Sequence, residues 1–419
     1  MKKLILPMAM LCMANALIAQ FVEVSYEADY NAQAYYQLEN DATTTVYNIE
    51  WDIAFSTIGF ADAAIFLNEA TGASGTPLEL YAAPTNEFSD VINPEELENP
   101  LYNDELSWDY GAFNSTRLEE DPFDLGWGAY NPADHTINAT KVYVLKLRDE
   151  TYKKLQIVSL VSTTYTFKYA DLDGSNEVTK TINKADFPDA DFAYFSFDTE
   201  QTISSVPDEW DLVFTRYVTP LDDGEGNLLD YLVTGTLSGV GVEVAQANAI
   251  NPENVSFDLY EDSLQTQLDI IGYDWKAFDL STFQWSLPDD RAYFVKTSEG
   301  DIWKLVFIDF EGSSTGNTVF QKTALGTVSS VDRPSVFEDF NIFPNPVADE
   351  ATVTYSVKTA GPVKISIGDV FGRKLWSASQ SVPTGFNATT LPDLNLPTGT
   401  YILSLEANGD LISHKMIQR

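Results

Sequence analysis

The chain has 419 residues and is strongly acidic, with 63 Asp and Glu residues, 24 Lys and Arg residues and a formal net charge of −39. This charge excludes a nucleic-acid or anionic-lipid partner, because both carry charge of the same sign. The single cysteine is Cys12, so the rest of the chain has no disulfide, cysteine nucleophile or cysteine metal site.

The N-terminal segment has the pattern of an export signal. Two lysines precede an apolar run from Leu4 to Leu11, and Ala19 is a small residue of the kind that a signal peptidase requires. We therefore predict a signal peptide over residues 1–19. A lipoprotein signal ending at Cys12 is the alternative, although a leucine precedes it where a small residue is expected. No segment is long and apolar enough to cross a bilayer, so we expect no transmembrane segment.

The segments that follow have the composition of β-strands. Tyr143–Leu147 and Lys154–Leu160 are rich in β-branched and aromatic residues and flank a polar turn, which predicts a hairpin. Asp173-Gly174 marks the turn of another hairpin. Helical periodicity is nearly absent, and the best stretch, which starts at Pro94, is short. The sequence therefore predicts an all-β fold.

The core of the chain is duplicated. Four motifs occur twice in the same order, while their spacing drifts from 159 to 148 to 150 residues because loop lengths differ. A repeat of about 150 residues has the size of a domain. We therefore predict two antiparallel β domains, at residues 21–185 and 186–328. The motif pairs are Ala34–Asn40 with Ala193–Thr199, Glu50–Phe55 with Glu209–Phe214, Gly126–Asn131 with Asp274–Asp279, and Val142–Lys146 with Ala292–Lys296.

The C-terminal region is separate from the repeats. Residues 329–336 have the composition of a linker, and short alternating strands separated by Gly, Pro and Asp turns fill residues 337–419, which predicts a small Ig-like β-sandwich. The motifs Phe340–Pro346, Val363–Ile367 and Leu396–Leu403 resemble the type A C-terminal sorting domain of the type IX secretion system. The resemblance implies interaction with the type IX machinery, export to the medium or cell surface, removal of the domain near the linker and, in many cases, attachment to surface lipopolysaccharide.

The duplicated core is similar to the HmuY-like haem-binding family. The similarity rests on the ordered Trp-Asp motifs at Trp51 and Trp210, the aromatic motifs at Trp127 and Trp275, and the closing hairpins. It implies a tandem, secreted or surface-bound all-β protein that captures haem. Trp51 and Trp210 are expected to pack on core strands, and the Asp after each one to accept a turn or backbone hydrogen bond.

Haem iron in such a protein requires axial ligands, usually His or Met. The duplicated core has no methionine and a single histidine, His135, whose counterpart in the second unit is Phe283. The candidate haem site is therefore His135 with Tyr130 and Trp127; a solvated loop histidine is the alternative. In the second unit, Trp275 and Phe278 are a candidate platform for a flat ligand, with simple packing as the alternative.

The motifs of common enzyme classes are absent. No phosphate-binding glycine loop, His-Glu-x-x-His or Gly-x-Ser-x-Gly motif occurs, so we expect a non-catalytic protein. Paired carboxylates for glycoside hydrolysis and calcium binding at acidic turns stay open, because geometry is invisible in the sequence. The sequence favours capture of haem or another planar hydrophobic ligand. The alternative is a module for adhesion, structure or glycan binding that keeps the fold without haem.

Overall fold

The structure is a computed structural model that describes residues 20–59, 62–327, 336–345, 347, 350–369, 373–392, 396–397, 399–407 and 410–418. The predicted signal peptide lies outside the described residues, as does the predicted linker except for Val336.

The described chain consists of strands and short turns of 3₁₀ helix, which confirms the all-β prediction. The 3₁₀ turns are Ala28–Tyr30, Pro94–Glu96, Ala112–Asn114, Lys184–Asp186, Phe257–Leu259, Glu261–Ser263 and Gly312–Ser314. The strands of the duplicated core are β1 (Gln20–Ser25), β2 (Ala32–Gln37), β3 (Ala42–Tyr47), β4 (Ile53–Ser56), β5 (Ile65–Leu67), β6 (Glu79–Ala82), β7 (Gly128–Asn131), β8 (Thr136–Ala139), β9 (Tyr143–Lys146), β10 (Tyr152–Val161), β11 (Thr164–Ala170), β12 (Val178–Asn183), β13 (Phe192–Ser196), β14 (Gln201–Thr202), β15 (Leu212–Asp222), β16 (Leu228–Ser238), β17 (Glu243–Ala247), β18 (Ala277–Asp279), β19 (Gln284–Ser286), β20 (Ala292–Lys296), β21 (Asp301–Phe310) and β22 (Asn317–Thr327).

The strands assemble into antiparallel sheets that cross the predicted boundary between the two repeats. The orders are β12-β11-β10-β8-β7, β14-β13-β4-β5, β16-β15-β2-β3, β1-β22-β21-β20-β17, and the hairpin β18-β19. In the first of these sheets, β9 also pairs with β10, and β6 pairs with β9. Strand β1 pairs with β22, and β2 pairs with β15, so the first repeat contributes its N-terminal strands to the second. Strand β13 in turn pairs with β4 of the first repeat.

The result is two packed modules with exchanged strands. The first module is the contiguous stretch from β4 to β14, and its core includes Phe55, Trp127 and Tyr165. The second module combines β1 to β3 with β15 to β22, around a core that includes Tyr36 and Phe320. The units at 21–185 and 186–328 stay a prediction about the sequence repeat, whereas the packed modules draw strands from both of them.

The C-terminal region forms two further antiparallel sheets. Its strands are β23 (Phe337–Phe343), β24 (Ala351–Val357), β25 (Gly361–Asp369), β26 (Lys374–Val382), β27 (Gly385–Leu391), β28 (Gly399–Ala407) and β29 (Asp410–Gln418), in the orders β23-β24-β27 and β26-β25-β28-β29. The alternating apolar residues of both sheets meet in one core that includes Val353, Ile365, Leu403 and Met416. This arrangement has the two packed sheets of the predicted sandwich.

Candidate functional site

His135 lies on the exposed turn that joins β7 to β8. Its φ is 58°, and its backbone N–H donates to the carbonyl of Asn131 at 2.9 Å. The Tyr130 hydroxyl and His135 Nδ1 lie 2.7 Å apart, so the structure brings two of the predicted haem ligands into contact. Burial, together with the negative charge of Asp134, raises the pKa of Tyr130 to about 12. The neutral phenol is therefore strongly favoured over phenolate at neutral pH.

The corresponding turn of the second repeat carries Phe283. Its φ is 55°, and its N–H donates to the carbonyl of Asp279 at 2.8 Å, which repeats the geometry at His135. Phe278 is 43% exposed, and its ring centroid lies 5.0 Å from that of Trp285. The hairpin β18-β19 therefore presents a small aromatic surface, in which Trp285 rather than Trp275 is the partner of Phe278.

Trp127 and Trp275 are buried in the two module cores, with 0% and 1% exposure. Trp127 Nε1 donates to the carbonyl of Ala63 at 2.8 Å. Trp275 stacks on Phe307 with a centroid distance of 4.1 Å. These positions favour the packing interpretation, since a ligand platform must be accessible.

A pocket of about 310 Å³ borders Tyr130 and His135. One wall belongs to the C-terminal sandwich, where the ring of Phe386 lies 4.5 Å from that of Tyr130. Arg117 is the only Lys or Arg side chain among the residues that line the pocket, and its guanidinium lies over the Tyr110 ring at 3.5 Å. Five carboxylates line the same pocket: Asp62, Asp109, Glu119, Asp121 and Asp124.

These residues do not fit a haem. The propionates of haem are anionic and would face five carboxylates and one guanidinium. The donor set is one imidazole and the two phenols of Tyr110 and Tyr130, whose pKa values are both raised by burial, and the chain between residues 20 and 327 contains no methionine. The pocket is therefore better suited to a neutral or cationic group than to haem.

A second cleft lies between the two modules, and it was not predicted from the sequence. We call it the aromatic cleft. Its volume is about 80 Å³, and eight aromatic side chains line it: Tyr35, Trp51, Phe66, Trp108, Phe192, Tyr194, Trp210 and Tyr217. Trp108 and Trp210 are half-buried and the other six are buried, so these two indoles form its accessible edge.

The aromatic cleft is built by the strand exchange. The Trp51 ring lies edge-on to Tyr194 at 4.9 Å, and the Tyr35 ring lies edge-on to Trp210 at 5.3 Å. Each pair joins one residue of the first repeat to one of the second, at equivalent positions. Trp108 completes the wall with centroid distances of 5.4 Å to Phe66 and 5.9 Å to Trp210.

Most polar groups in the wall are satisfied within the protein. Gln33 Oε1 accepts from the Tyr35 hydroxyl at 2.9 Å and from Trp51 Nε1 at 3.1 Å. Glu69 accepts from the backbone N–H groups of Asn103 and Val218, yet its burial raises its pKa to about 7. This carboxyl therefore changes charge near neutral pH.

One buried polar atom on the aromatic side of the wall, the Tyr217 hydroxyl, has no partner among the described residues. Buried polar groups are normally hydrogen-bonded, so an unsatisfied hydroxyl at a cleft is a position for a ligand group or for water. Arg216, the preceding residue on β15, points to the opposite face of the sheet, where its guanidinium lies near the Tyr30 ring and donates to the carbonyl of Thr71.

The sequence did hold a signal for this site. The aromatic pattern Tyr35 with Trp51 recurs as Tyr194 with Trp210 at the same spacing of 159 residues. Core positions were expected for Trp51 and Trp210, and both side chains are packed. That strand exchange brings both pairs to one cleft could not be predicted from the sequence.

Comparison with known proteins agrees with the prediction for the C-terminal region. Residues 341–419 match the model of the secretion system C-terminal sorting domain. The chain is therefore exported by the type IX secretion system to the medium or the cell surface, and it interacts with that machinery. No helix among the described residues is long and apolar enough to cross a membrane.

Comparison with solved structures shows distant similarity to the chain. A solved structure titled apo PinO from Porphyromonas gingivitis has 9% sequence identity and a TM-score of 0.24, with 75% of this chain and 100% of that chain covered. A similarity of this size supports no statement about a ligand. The curated proteins include no match to the chain. Within the described residues, no group of three or more His, Cys, Asp and Glu side chains is placed to hold a metal ion.

Proposed function

We propose that the mature protein is a non-catalytic binding protein at the cell surface or in the medium, and that it captures a small planar ligand in the aromatic cleft. The observation that carries this proposal is the set of eight aromatic side chains from both modules around one cleft with an unsatisfied hydroxyl, that of Tyr217. Sites for small molecules are typically apolar and aromatic clefts with a few polar groups that fix orientation.

The size of the aromatic cleft limits the ligand. A dry engineered cavity of about 150 Å³ accommodates benzene. The aromatic cleft has about 80 Å³ and is open on one side, so it accepts one ring with part of that ring exposed. A haem is several times larger than this and is not the ligand of the aromatic cleft.

The polar groups limit the chemistry. A ligand that forms a hydrogen bond with the Tyr217 hydroxyl satisfies a buried atom that otherwise lacks a partner. A ring without a polar atom leaves this hydroxyl unsatisfied. We therefore infer that the ligand is a planar ring carrying one polar oxygen.

The resemblance of the core to the HmuY-like family supports a binding role without fixing the ligand. The ordered and repeated motifs favour a tandem member of that family. We retain the secreted binding function that the resemblance implies, and we place the ligand in the aromatic cleft instead of beside His135.

The test compares two ligands of equal shape. Acetophenone has a planar ring and a carbonyl acceptor, and ethylbenzene has the ring alone. We expect acetophenone to bind the mature protein more tightly by about fivefold, which corresponds to one hydrogen bond of about 1 kcal/mol. Tyr217→Phe should reduce this ratio, and Trp108→Leu should weaken both ligands, as measured by ligand-observed NMR titration.

Phe283→Ala is the matched control, because it removes an aromatic ring that is 76% exposed and outside the aromatic cleft. Binding that is equal in the wild type and Trp108→Leu, or no binding of either ligand at millimolar concentration, would overturn the proposal.

A further inference from the structure

In each module, a lysine on the outer sheet binds the backbone of a loop that lies over the sheet. The two lysines occupy equivalent positions of the two repeats. Lys154 on β10 donates from Nζ to the carbonyl of Asp90 at 2.9 Å. Lys304 on β21 donates in the same way to the carbonyl of Pro252 at 2.7 Å. The two loops therefore begin from the same anchor, which makes the surfaces beside them comparable.

In the first module the loop seals the sheet. Phe88 and Ile92 are 7% and 3% exposed, and both pack in one apolar cluster with Val144. The Phe88 ring lies between the ammonium groups of Lys154 and Lys168, at 4.9 Å and 4.1 Å. The first module consequently has an apolar plug at this position.

In the second module the loop also packs on the sheet, through a different set of aromatic residues. Phe257 and Tyr260 lie against Phe294, with ring centroids 5.5 Å and 5.4 Å from its own. Gln321 stands on β22 where Lys168 stands on β11, judged from the register of each strand pair. A groove of about 750 Å³ remains between the loop and the sheet. We call it the outer groove.

The lining of the outer groove combines neutral hydrogen-bonding groups with apolar side chains. Asn254 and Ser256 come from the loop, and Gln321 and Thr323 come from β22. The apolar part of the lining consists of Pro252, Val255, Phe257, Ile302 and Leu325. Amides and hydroxyls can both donate and accept, as the hydroxyls of a sugar require.

The charges of the outer groove exclude anionic polymers, although its size would accept them. Its one ammonium, Lys304, is held by the carbonyl of Pro252, and burial lowers its pKa. An anionic chain would meet this single cation together with Glu253 and Asp258. The net charge of −39 adds a general repulsion.

We propose that the outer groove of the second module binds a short segment of a neutral oligosaccharide. Pockets of about 300–1,000 Å³ enclose ligands of several rings, and the outer groove lies within this range. This site is separate from the aromatic cleft, so the protein has two ligand sites of different chemistry.

The experiment is isothermal titration calorimetry of the mature protein with maltotriose, cellotriose, chitotriose and mannotriose, and with trigalacturonate as the anionic comparison. We expect at least one neutral trisaccharide to bind with a Kd below 1 mM and trigalacturonate not to bind. The double variant Asn254→Ala/Gln321→Ala should weaken the neutral sugar at least tenfold, while acetophenone binding stays unchanged.

Glu95→Ala, in the corresponding loop of the first module, is the matched control and should bind the sugar like the wild type. The proposal is overturned if none of the four neutral trisaccharides binds. It is equally overturned if the double variant binds the sugar as tightly as the wild type, or if trigalacturonate is preferred.

Discussion

The carboxylate of Asp211 accepts a 2.7 Å hydrogen bond from the backbone N–H of Leu38, a residue 173 positions earlier in the chain. The equivalent Asp52 accepts a 2.7 Å bond from the N–H of Phe197, 145 positions later. In each repeat, the aspartate of the Trp-Asp motif therefore stabilises the exchanged strand by a hydrogen bond to the backbone of the other repeat. The backbone hydrogen bond expected for these aspartates from the sequence is present, and its partner lies in the other repeat.

Asp211 makes the stability of the fold depend on pH. Burial raises its pKa from 3.8 to about 6, so the folded state takes up a proton at a higher pH than the unfolded state. Stability from this group is therefore greatest at low pH and is lost as the pH rises through 6. We expect the free energy of unfolding to fall by about 1.4 kcal/mol between pH 5 and pH 7.5 on account of this residue.

Chemical denaturation at both pH values measures this effect. Asp211→Asn keeps one acceptor oxygen for Leu38 and cannot ionise, so the pH dependence should shrink by this amount. Asp208→Asn, at an exposed position nearby, is the control. An unchanged difference between the two pH values in Asp211→Asn would contradict the assignment.

The exchange of β1 predicts a long-range effect of mutation. Val24 on β1 is 2% exposed and packs in the core of the second module. Val24→Asp places a charge in that core and should destabilise the protein by about 3 kcal/mol or more. Hydrogen exchange should show the loss of protection in β22, because β1 pairs with it. The exposed Glu23→Ala should leave β22 protected.

The buried tryptophans predict a difference between equivalent substitutions. Trp127 Nε1 donates to Ala63, whereas Trp275 Nε1 has no partner among the described residues. Trp127→Phe should therefore cost about 1 kcal/mol more than Trp275→Phe, the value of one hydrogen bond. Denaturant titration of both variants provides the measurement. Equal costs would show that the bond to Ala63 adds no stability.

Haem titration tests the pocket beside His135. We expect no saturable shift of the Soret band, because five carboxylates repel the propionates and the Tyr130 phenol stays protonated. The experiment compares the wild type with His135→Ala. A shift that saturates at one equivalent and disappears in the variant would establish haem ligation and contradict this prediction.

The sequence predicted the strands better than their partners. The alternating residues of Tyr143–Lys146 and Tyr152–Val161 are sufficient to predict a hairpin, since a short turn joins the strands. Strands β1 and β12 have similar patterns, yet β1 pairs with β22 and β12 with β11. Local pattern cannot decide between two compatible edges, because that choice depends on packing across the whole core.

The dependence on packing across the whole core also explains why only part of the binding site could be predicted from the sequence. Residue types in the sequence identified His135, Tyr130 and the tryptophans as candidates, but the distance between His135 and Tyr130 in space could not be predicted from their spacing along the chain. The aromatic cleft depends on the contact of Trp51 with Tyr194 across the exchange. Its unsatisfied polar atom, the Tyr217 hydroxyl, lies on β15, a strand whose partners only the three-dimensional structure reveals.

The pairing of β1 with β22 also sets an order of assembly. The Ser25 hydroxyl donates to the carbonyl of Thr315, 290 residues further along the chain. The first module is contiguous and can fold while later residues are still being synthesised. In the second module, β1 cannot join its sheet until β22, the last strand of the core, is available. Contacts of such separation along the chain form slowly. The aromatic cleft needs both modules, so a nascent or truncated chain lacks it, and a ligand that occupies this cleft would report that both modules are complete.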